Sequence, residues 1–302
     1  MSEHAKKRIG TFCRYCKKDL SCLEHDEYIT IPTKGFGAER YVCKECADND
    51  HKGRGGWESY NDEVDTVIGL ETKSKMQFAV EYECEYNEYI TVNGITMYNP
   101  IEINAYMASQ YHLLPTHDGT VGCEFKEERR RSLHGYKQRI QGISETVNLT
   151  PSNCGHHINI SKTTWDNRKY QFLKMYSRDL FAPLANFLYE NKDLTKKVFG
   201  RDFSRWCQYS DVTFEHGYWL NIRNNHEKNE CCLEFRLAKF HDVDQFFYLI
   251  NFCKDVMLLV DEFLNNDELN ADEVGLEIVG IFKKYASGNA LCMRKERNAK
   301  AR

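Results

Sequence analysis

Three short stretches of the chain alternate polar, metal-competent residues with apolar ones: Phe78-Ala-Val-Glu81-Tyr-Glu83-Cys-Glu85, Cys154-Gly-His-His157-Ile-Asn159-Ile-Ser161 and Cys232-Leu-Glu234-Phe-Arg236-Leu237. A period of two sustained over six or more residues reads as strand, not helix. In a strand, residues i and i+2 share a face. The pairs Glu81/Glu83, His157/Asn159 and Glu234/Arg236 must therefore each project to one side, with apolar residues on the other. A single Glu-x-Glu is ordinarily a solvated sheet face. The recurrence of acidic pairs, a His and an Arg in strands separated by long helical stretches marks these polar faces as belonging together.

The segments between them are helical in pattern. Thr164 to Glu190 places Tyr170, Leu173, Leu180, Leu184 and Leu188 at helical spacings, and Val243 to Leu264 does the same with Phe246, Phe247, Ile250, Met257, Val260 and Phe263. Glu277 to Tyr285 predicts a last helix. Tyr218-Trp-Leu-Asn221-Ile-Arg223 alternates like a strand and is joined to Glu234–Arg236 through the polar turn 224–229, which predicts a hairpin. Asn221 and Arg223 would then face the same cleft. Lys126-Glu-Glu-Arg-Arg-Arg131 reads as a solvated helix start or loop. Together these patterns predict an α+β domain, residues 75–290, with a curved antiparallel sheet that packs helices on one face and carries chemistry on the other. The basic tail 291–302 is read as disordered.

Composition narrows the class. The chain has 302 residues, net charge −4, 41% hydrophobic and 13% aromatic residues, which excludes a disordered or strongly basic protein. No apolar run approaches the ~20 residues a spanning helix needs. The polar opening Met1-Ser-Glu-His-Ala-Lys-Lys-Arg8 has no signal-peptide pattern, so a cytoplasmic location is expected, with no membrane partner. Among thirteen cysteines, Cys84, Cys154, Cys232 and Cys253 read as reduced thiols packed like small hydrophobes.

Four others have metal spacing. Cys13-Arg-Tyr-Cys16 and Cys43-Lys-Glu-Cys46 form two knuckles whose thiolates complete a closed tetrahedral shell for zinc. The residues between them hold too little apolar material for a core, and metal binding can supply that folding energy. Residues 1–56 carry eleven Lys or Arg against nine Asp or Glu. This balance lacks the basic footprint of a nucleic-acid finger and favours docking to a protein partner or to the larger domain. Residues 57–74 read as a linker after the flexible run Lys52-Gly-Arg-Gly-Gly56.

The order of the motifs over roughly residues 75 to 260 resembles the amidoligase family of carboxylate–amine ligases, known from phage and bacterial settings, which share the glutamine synthetase fold. Phe78 to Glu83 resembles the family's first G-x-E-x-E strand, with Ala79 where Gly is common. Asp118-Gly-Thr-Val-Gly-Cys-Glu124 resembles its D-G-S-x-x-x-E segment, Cys154 to Asn159 its C-G-x-H-x-H strand, and Glu234-Phe-Arg236 its E-F-R strand. Asn159 stands where the family has a second His; Asn can hydrogen-bond but cannot carry charge or act as an acid at neutral pH.

The resemblance implies an ATP- and Mg²⁺-dependent ligase that joins a carboxylate to an amine through an acyl phosphate. Glu81, Glu83, Glu124, His157 and Glu234 would hold Mg²⁺, since carboxylates are hard oxygen ligands. Arg236, Glu124 and Asn159 would serve the catalytic step, and Arg236, Arg205, Arg201, Asn221 and Arg223 would contact the nucleotide. Four carboxylates without cations would repel one another, so on this reading metal relieves the charge on an open face. Two other classes share the same residues: a scaffold that has lost the reaction and works through its zinc module, and a metal-dependent hydrolase that needs no ATP.

Overall fold

A computed structural model describes residues 28–32, 39–43, 67–68, 75–87, 89–92, 95–97, 100–116, 123–204, 207–211, 217–226 and 228–287. The expected zinc ligands Cys13, Cys16, Cys43 and Cys46 lie outside them, save that the backbone of Cys43 ends a strand. Arg205, Asp118 and the tail 291–302 also lie outside.

Among the described residues the fold is α+β, with a large antiparallel sheet and six helices. In chain order the strands are β1 (Tyr28–Pro32), β2 (Glu39–Cys43), β3 (Val67–Ile68), β4 (Met76–Tyr86), β5 (Ile90–Val92), β6 (Ile95–Met97), β7 (Leu113–Thr116), β8 (Cys123–Glu127), β9 (Arg129–Arg130), β10 (Val147–Asn148), β11 (His156–Lys162), β12 (Leu220–Asn225) and β13 (Glu230–Ala238). The helices are α1 (Pro100–Tyr111), α2 (Tyr136–Thr146), α3 (Asn167–Glu190), α4 (Lys192–Phe199), α5 (Val243–Phe263) and α6 (Ala271–Ala286). The chain divides into two compact units, the first Met1–Thr66, Tyr82–Glu128 and Gln138–Cys154, the second Val67–Glu81, Arg129–Lys137 and Gly155–Arg302.

The second unit carries the antiparallel order β12-β13-β11 followed by the Met76–Glu81 part of β4. Registers align Leu220 with Phe235 and Phe235 with Ile158, one apolar row, and Asn221 with Glu234 and Glu234 with Asn159, the polar row beside it. The apolar rows are buried under helices: α5 packs on β11 and β13, and α3 on β12 and β13. Phe235 meets Phe252 of α5, and Phe199 stacks on Phe282 of α6. Each such fully buried side chain contributes roughly 1.5–3 kcal/mol relative to exposure. The helices begin where their caps allow. Asp166 accepts from the backbone N–H groups of Arg168 and Lys169, Asp242 from that of Gln245, and Asn270 from those of Asp272 and Glu273. A buried lock ties α5 to the end of β11, where Asp261 receives Lys162 Nζ at 2.5 Å and Trp165 Nε1 at 2.8 Å.

In the first unit, β7 pairs antiparallel with β8, and the end of β4 pairs with β10. Lys126–Arg131 is a correction to the sequence reading. Instead of a solvated helix start, it forms the end of β8 and all of β9. The charges are tolerated there because Arg139 Nε, on α2, lies 2.5 Å from the buried Glu127 Oε1. In the second unit, Arg129 pairs with Glu230 at 2.5 Å. The last helix is also longer than Glu277–Tyr285, since the Asn270 cap starts it at Ala271.

Helices α3 and α6 approach closely at one glycine. Pro183 lies inside α3 and has no N–H to offer the carbonyl of Asp179 one turn earlier. Gly275 of α6 packs against that carbonyl. A Cβ added at Gly275 would overlap the Asp179 oxygen, and would sit 3.1 Å from Pro183 Cγ and 3.2 Å from the Leu180 oxygen. Two of these neighbours are backbone and cannot swing aside. Gly275→Ala is therefore expected to destabilise the fold by about 1–3 kcal/mol, the usual cost of overpacking. This should exceed the modest gain in helix propensity. Urea denaturation reads it directly, and a variant as stable as the parent would refute the close contact.

Candidate metal centre

Three strands deliver the site. Along β4, Phe78, Val80 and Tyr82 are buried on one face, and alternation places Glu81 on the other together with Glu83. On β11 the register slips between His156 and Ile158: Ile158 faces Phe235 while His156 faces Ala238, so two steps on β11 span three on β13. The extra residue is a β-bulge, a device that re-aims side chains beside functional sites. It lies where His157 faces Arg236 and Leu237 on β13.

The result is a compact polar cluster. His157 Nδ1 is 2.8 Å from Glu81 Oε2 and 3.6 Å from Glu234 Oε1. The three ligand atoms lie within 4.8 Å of one another, and among the described residues no other three His, Cys, Asp or Glu side chains gather this way. All three residues are buried. Around them, Asn159 Nδ2 donates to Glu81 Oε1 at 3.0 Å, Asn221 Nδ2 to Glu234 Oε2 at 2.8 Å, Arg236 Nη1 to Glu234 Oε1 at 2.7 Å, and Arg223 Nη1 to Glu81 Oε1 at 3.3 Å. Cys232 Sγ, at 3.9 Å, meets Asn159 Oδ1 and so favours turning the amide nitrogen toward Glu81.

The electrostatics differ from the sequence reading. Glu234 is 2% exposed, so it does not lie on an open face. Two guanidinium groups already offset the two carboxylates, and unrelieved repulsion is not what awaits a metal. His157 feels opposed influences. Burial, the largest, and the Arg236 charge push its pKa down, while the hydrogen bond to Glu81 and the charges of Glu81 and Glu234 outweigh them and leave it raised above 6.5.

The other expected residues fall in several places. Asn159, Asn221, Arg223 and Arg236 belong to the cluster. Arg201 reaches it through the backbone, with Nη2 donating to the Arg236 carbonyl. A Cβ at Gly155 would collide with that guanidinium, so Gly155 is what lets Arg201 lie across the chain. Glu83 and Glu124 belong to the first unit, the triad to the second. Glu83 is half-buried, whereas Glu124 is fully buried and accepts a hydrogen bond from Thr116 Oγ1 at 2.8 Å. Gly155 and Cys232 were not singled out as site residues. Their place within the two strand motifs is the one available signal.

One imidazole and two carboxylates suit a divalent cation. Carboxylates favour Mg²⁺ and Mn²⁺, imidazole favours the transition metals, and Mn²⁺ accepts both. The second-sphere hydrogen bonds from Asn159 and Asn221 hold the carboxylates as such sites require. The donor set fits a metal. No family model matches the chain, and no curated protein matches its sequence.

Proposed function

We propose that Glu81, His157 and Glu234 form the divalent-metal site of an ATP-dependent carboxylate–amine ligase with a glutamine synthetase-like catalytic domain. A four-thiolate zinc module at Cys13, Cys16, Cys43 and Cys46 precedes it. The observation that carries the reading is the convergence of these three side chains, from three strands, with Arg236 beside them. The order of motifs in the sequence supplies the reaction class.

In such a reaction the carboxylate takes the γ-phosphoryl group of ATP, ADP leaves, and the amine then displaces phosphate to form the amide. When bound, Mg²⁺ supplies charge neutralisation for the phosphates. The protein's part is positional and electrostatic. Arg236, 5% exposed and held against Glu234, is a fixed cation for a transferring phosphoryl group. Asn221 and Asn159 fix the carboxylates by hydrogen bonds. Asn159 moves no proton, so deprotonation of the amine falls to another group or to solvent. Glu83 and Glu124 are proposed as ligands of a further Mg²⁺.

The test uses the whole chain. Mn²⁺ titration followed by electron paramagnetic resonance should show saturable binding that Mg²⁺ competes away. ATP should raise Tm only when a divalent ion is present. With a panel of carboxylic acids and hydroxylamine as the amine, phosphate release should require ATP. Metal and nucleotide binding without any release would favour the scaffold reading, and hydrolytic turnover without ATP the hydrolase. No saturable Mn²⁺ binding would end the proposal.

A further inference from the structure

One guanidinium touches both of the strands that carry His157 and Glu234. The end of α4 is tied to the end of β13, where Lys239 N–H donates to the Phe199 oxygen at 2.8 Å and His241 Nε2 meets the Gly200 oxygen at 2.7 Å. Gly200, with φ +85°, turns the chain there as glycine readily does, and Arg201 follows it. Arg201 Nη2 donates to the Arg236 carbonyl, two residues past Glu234. Arg236 N–H donates to the Trp219 oxygen at 2.9 Å, whereas Trp219 N–H, which closes such a pair in a regular antiparallel ladder, goes to the Gln208 oxygen at 3.0 Å. A side chain thus serves a carbonyl that a neighbouring strand ordinarily serves. The same guanidinium lies against Gly155, two residues before His157, since a Cβ there would sit 2.7 Å from Nη2 and 2.8 Å from Cζ. Both contacts fall at the register shift between β11 and β13. Cys207, whose thiol burial pushes up to about 11, hydrogen-bonds this guanidinium as a neutral group.

We propose, resting on the metal reading above, that Arg201 is a positioning residue: its guanidinium clasps β11 to β13 at the bulge, sets the spacing of the metal ligands His157 and Glu234, and does not bind nucleotide. The rigid planar fork suits this task, because one face can lie flat on a glycine while an edge N–H donates to a carbonyl. His157 Nδ1 and Glu234 Oε1 are 3.6 Å apart across the clasped pair. A slip at the bulge would change that distance, and metal affinity depends on ligand atoms being held in place.

The test measures Mn²⁺ affinity of the whole protein without nucleotide, well below each Tm, in the parent, Arg201→Met, Arg201→Lys, Gly155→Ala and the double variant Gly155→Ala/Arg201→Met. Arg201→Met is expected to bind Mn²⁺ about tenfold more weakly, the low end of the scale for outer-sphere partners. Arg201→Lys keeps a donor without the fork, so it should lose less. Gly155→Ala leaves Arg201 in the chain but displaces its guanidinium, so it should weaken Mn²⁺ binding too. In the Arg201→Met background the same alanine should add less than about twofold, the non-additivity of two changes that break one contact. A nucleotide contact would instead leave nucleotide-free Mn²⁺ affinity at the parent's value and raise the KM for ATP at saturating metal, and a merely structural arginine would lower Tm alone. Either result, or fully additive costs, would overturn the clasp and leave the metal site standing. If Arg201→Met does not fold, parental Mn²⁺ affinity in both Gly155→Ala and Arg201→Lys would overturn it equally. Absence of saturable Mn²⁺ binding in the parent would remove the metal reading and this inference with it.

Discussion

Glu234→Gln should weaken Mn²⁺ binding by more than about 100-fold, because even the loss of an outer-sphere partner costs 10–100-fold and Glu234 is a ligand itself. The same change should destabilise the metal-free protein, contrary to what an open acidic face would predict. Glu234 is 2% exposed and holds the equally buried Arg236 at 2.7 Å. Removing one partner of a buried pair leaves the other charge uncompensated, at a cost of about 3–5 kcal/mol. Glutamine retains one acceptor oxygen, so the lower end of that range is expected. The double variant Glu234→Gln/Arg236→Met should regain most of the lost stability without regaining the metal. Urea denaturation and Mn²⁺ titration on the same three proteins separate the two effects. A Glu234→Gln variant that binds Mn²⁺ like the parent would remove Glu234 from the site.

The strands that build the cluster were legible because period two is a local property: Phe78 to Glu83, His157 to Ser161 and Cys232 to Leu237 all lie within observed strands. The hairpin from Asn221 and Arg223 to Glu234 was legible for the same reason, helped by its polar turn. Helices α3 and α5 were legible from apolar spacing over more than twenty residues. Helix α2, Tyr136–Thr146, was not, since its sequence mixes polar residues with a glycine and it takes its place partly through the distant pair Arg139–Glu127. That pair also explains why Lys126–Arg131 misled: the charges look solvated until a partner twelve residues on is known. The bulge at His157 left no local mark, because a register shift belongs to two strands at once. Charge balance was hidden likewise. Arg223 is plain in the sequence, yet only the assembly of separate strands reveals that it pairs with Glu81, whereas Arg236 and Glu234 share one face of one strand and their contact follows from period two.

Arg236→Ala is expected to lower ATP-dependent phosphate release by about 10²-fold or more, the scale of losing a fixed charge contact to the transition state. Metal affinity should be spared or improved, since a cation 2.7 Å from a ligand oxygen no longer competes for it. Stability should follow a pattern that a merely structural arginine would not produce. Without metal, Glu234 is left buried with Asn221 at 2.8 Å but no guanidinium at Oε1, and Tm should fall. Mn²⁺ binds the native state through that same carboxylate, so adding it should raise Tm in the variant by more than in the parent. Arg236→Lys restores the charge without the fork, so it should recover metal-free stability in part and turnover much less. Arg201 donates to the backbone carbonyl at 236, an acceptor that neither substitution removes. Turnover in Arg236→Ala within a few-fold of the parent would show that this guanidinium balances Glu234 and takes no part in phosphoryl transfer.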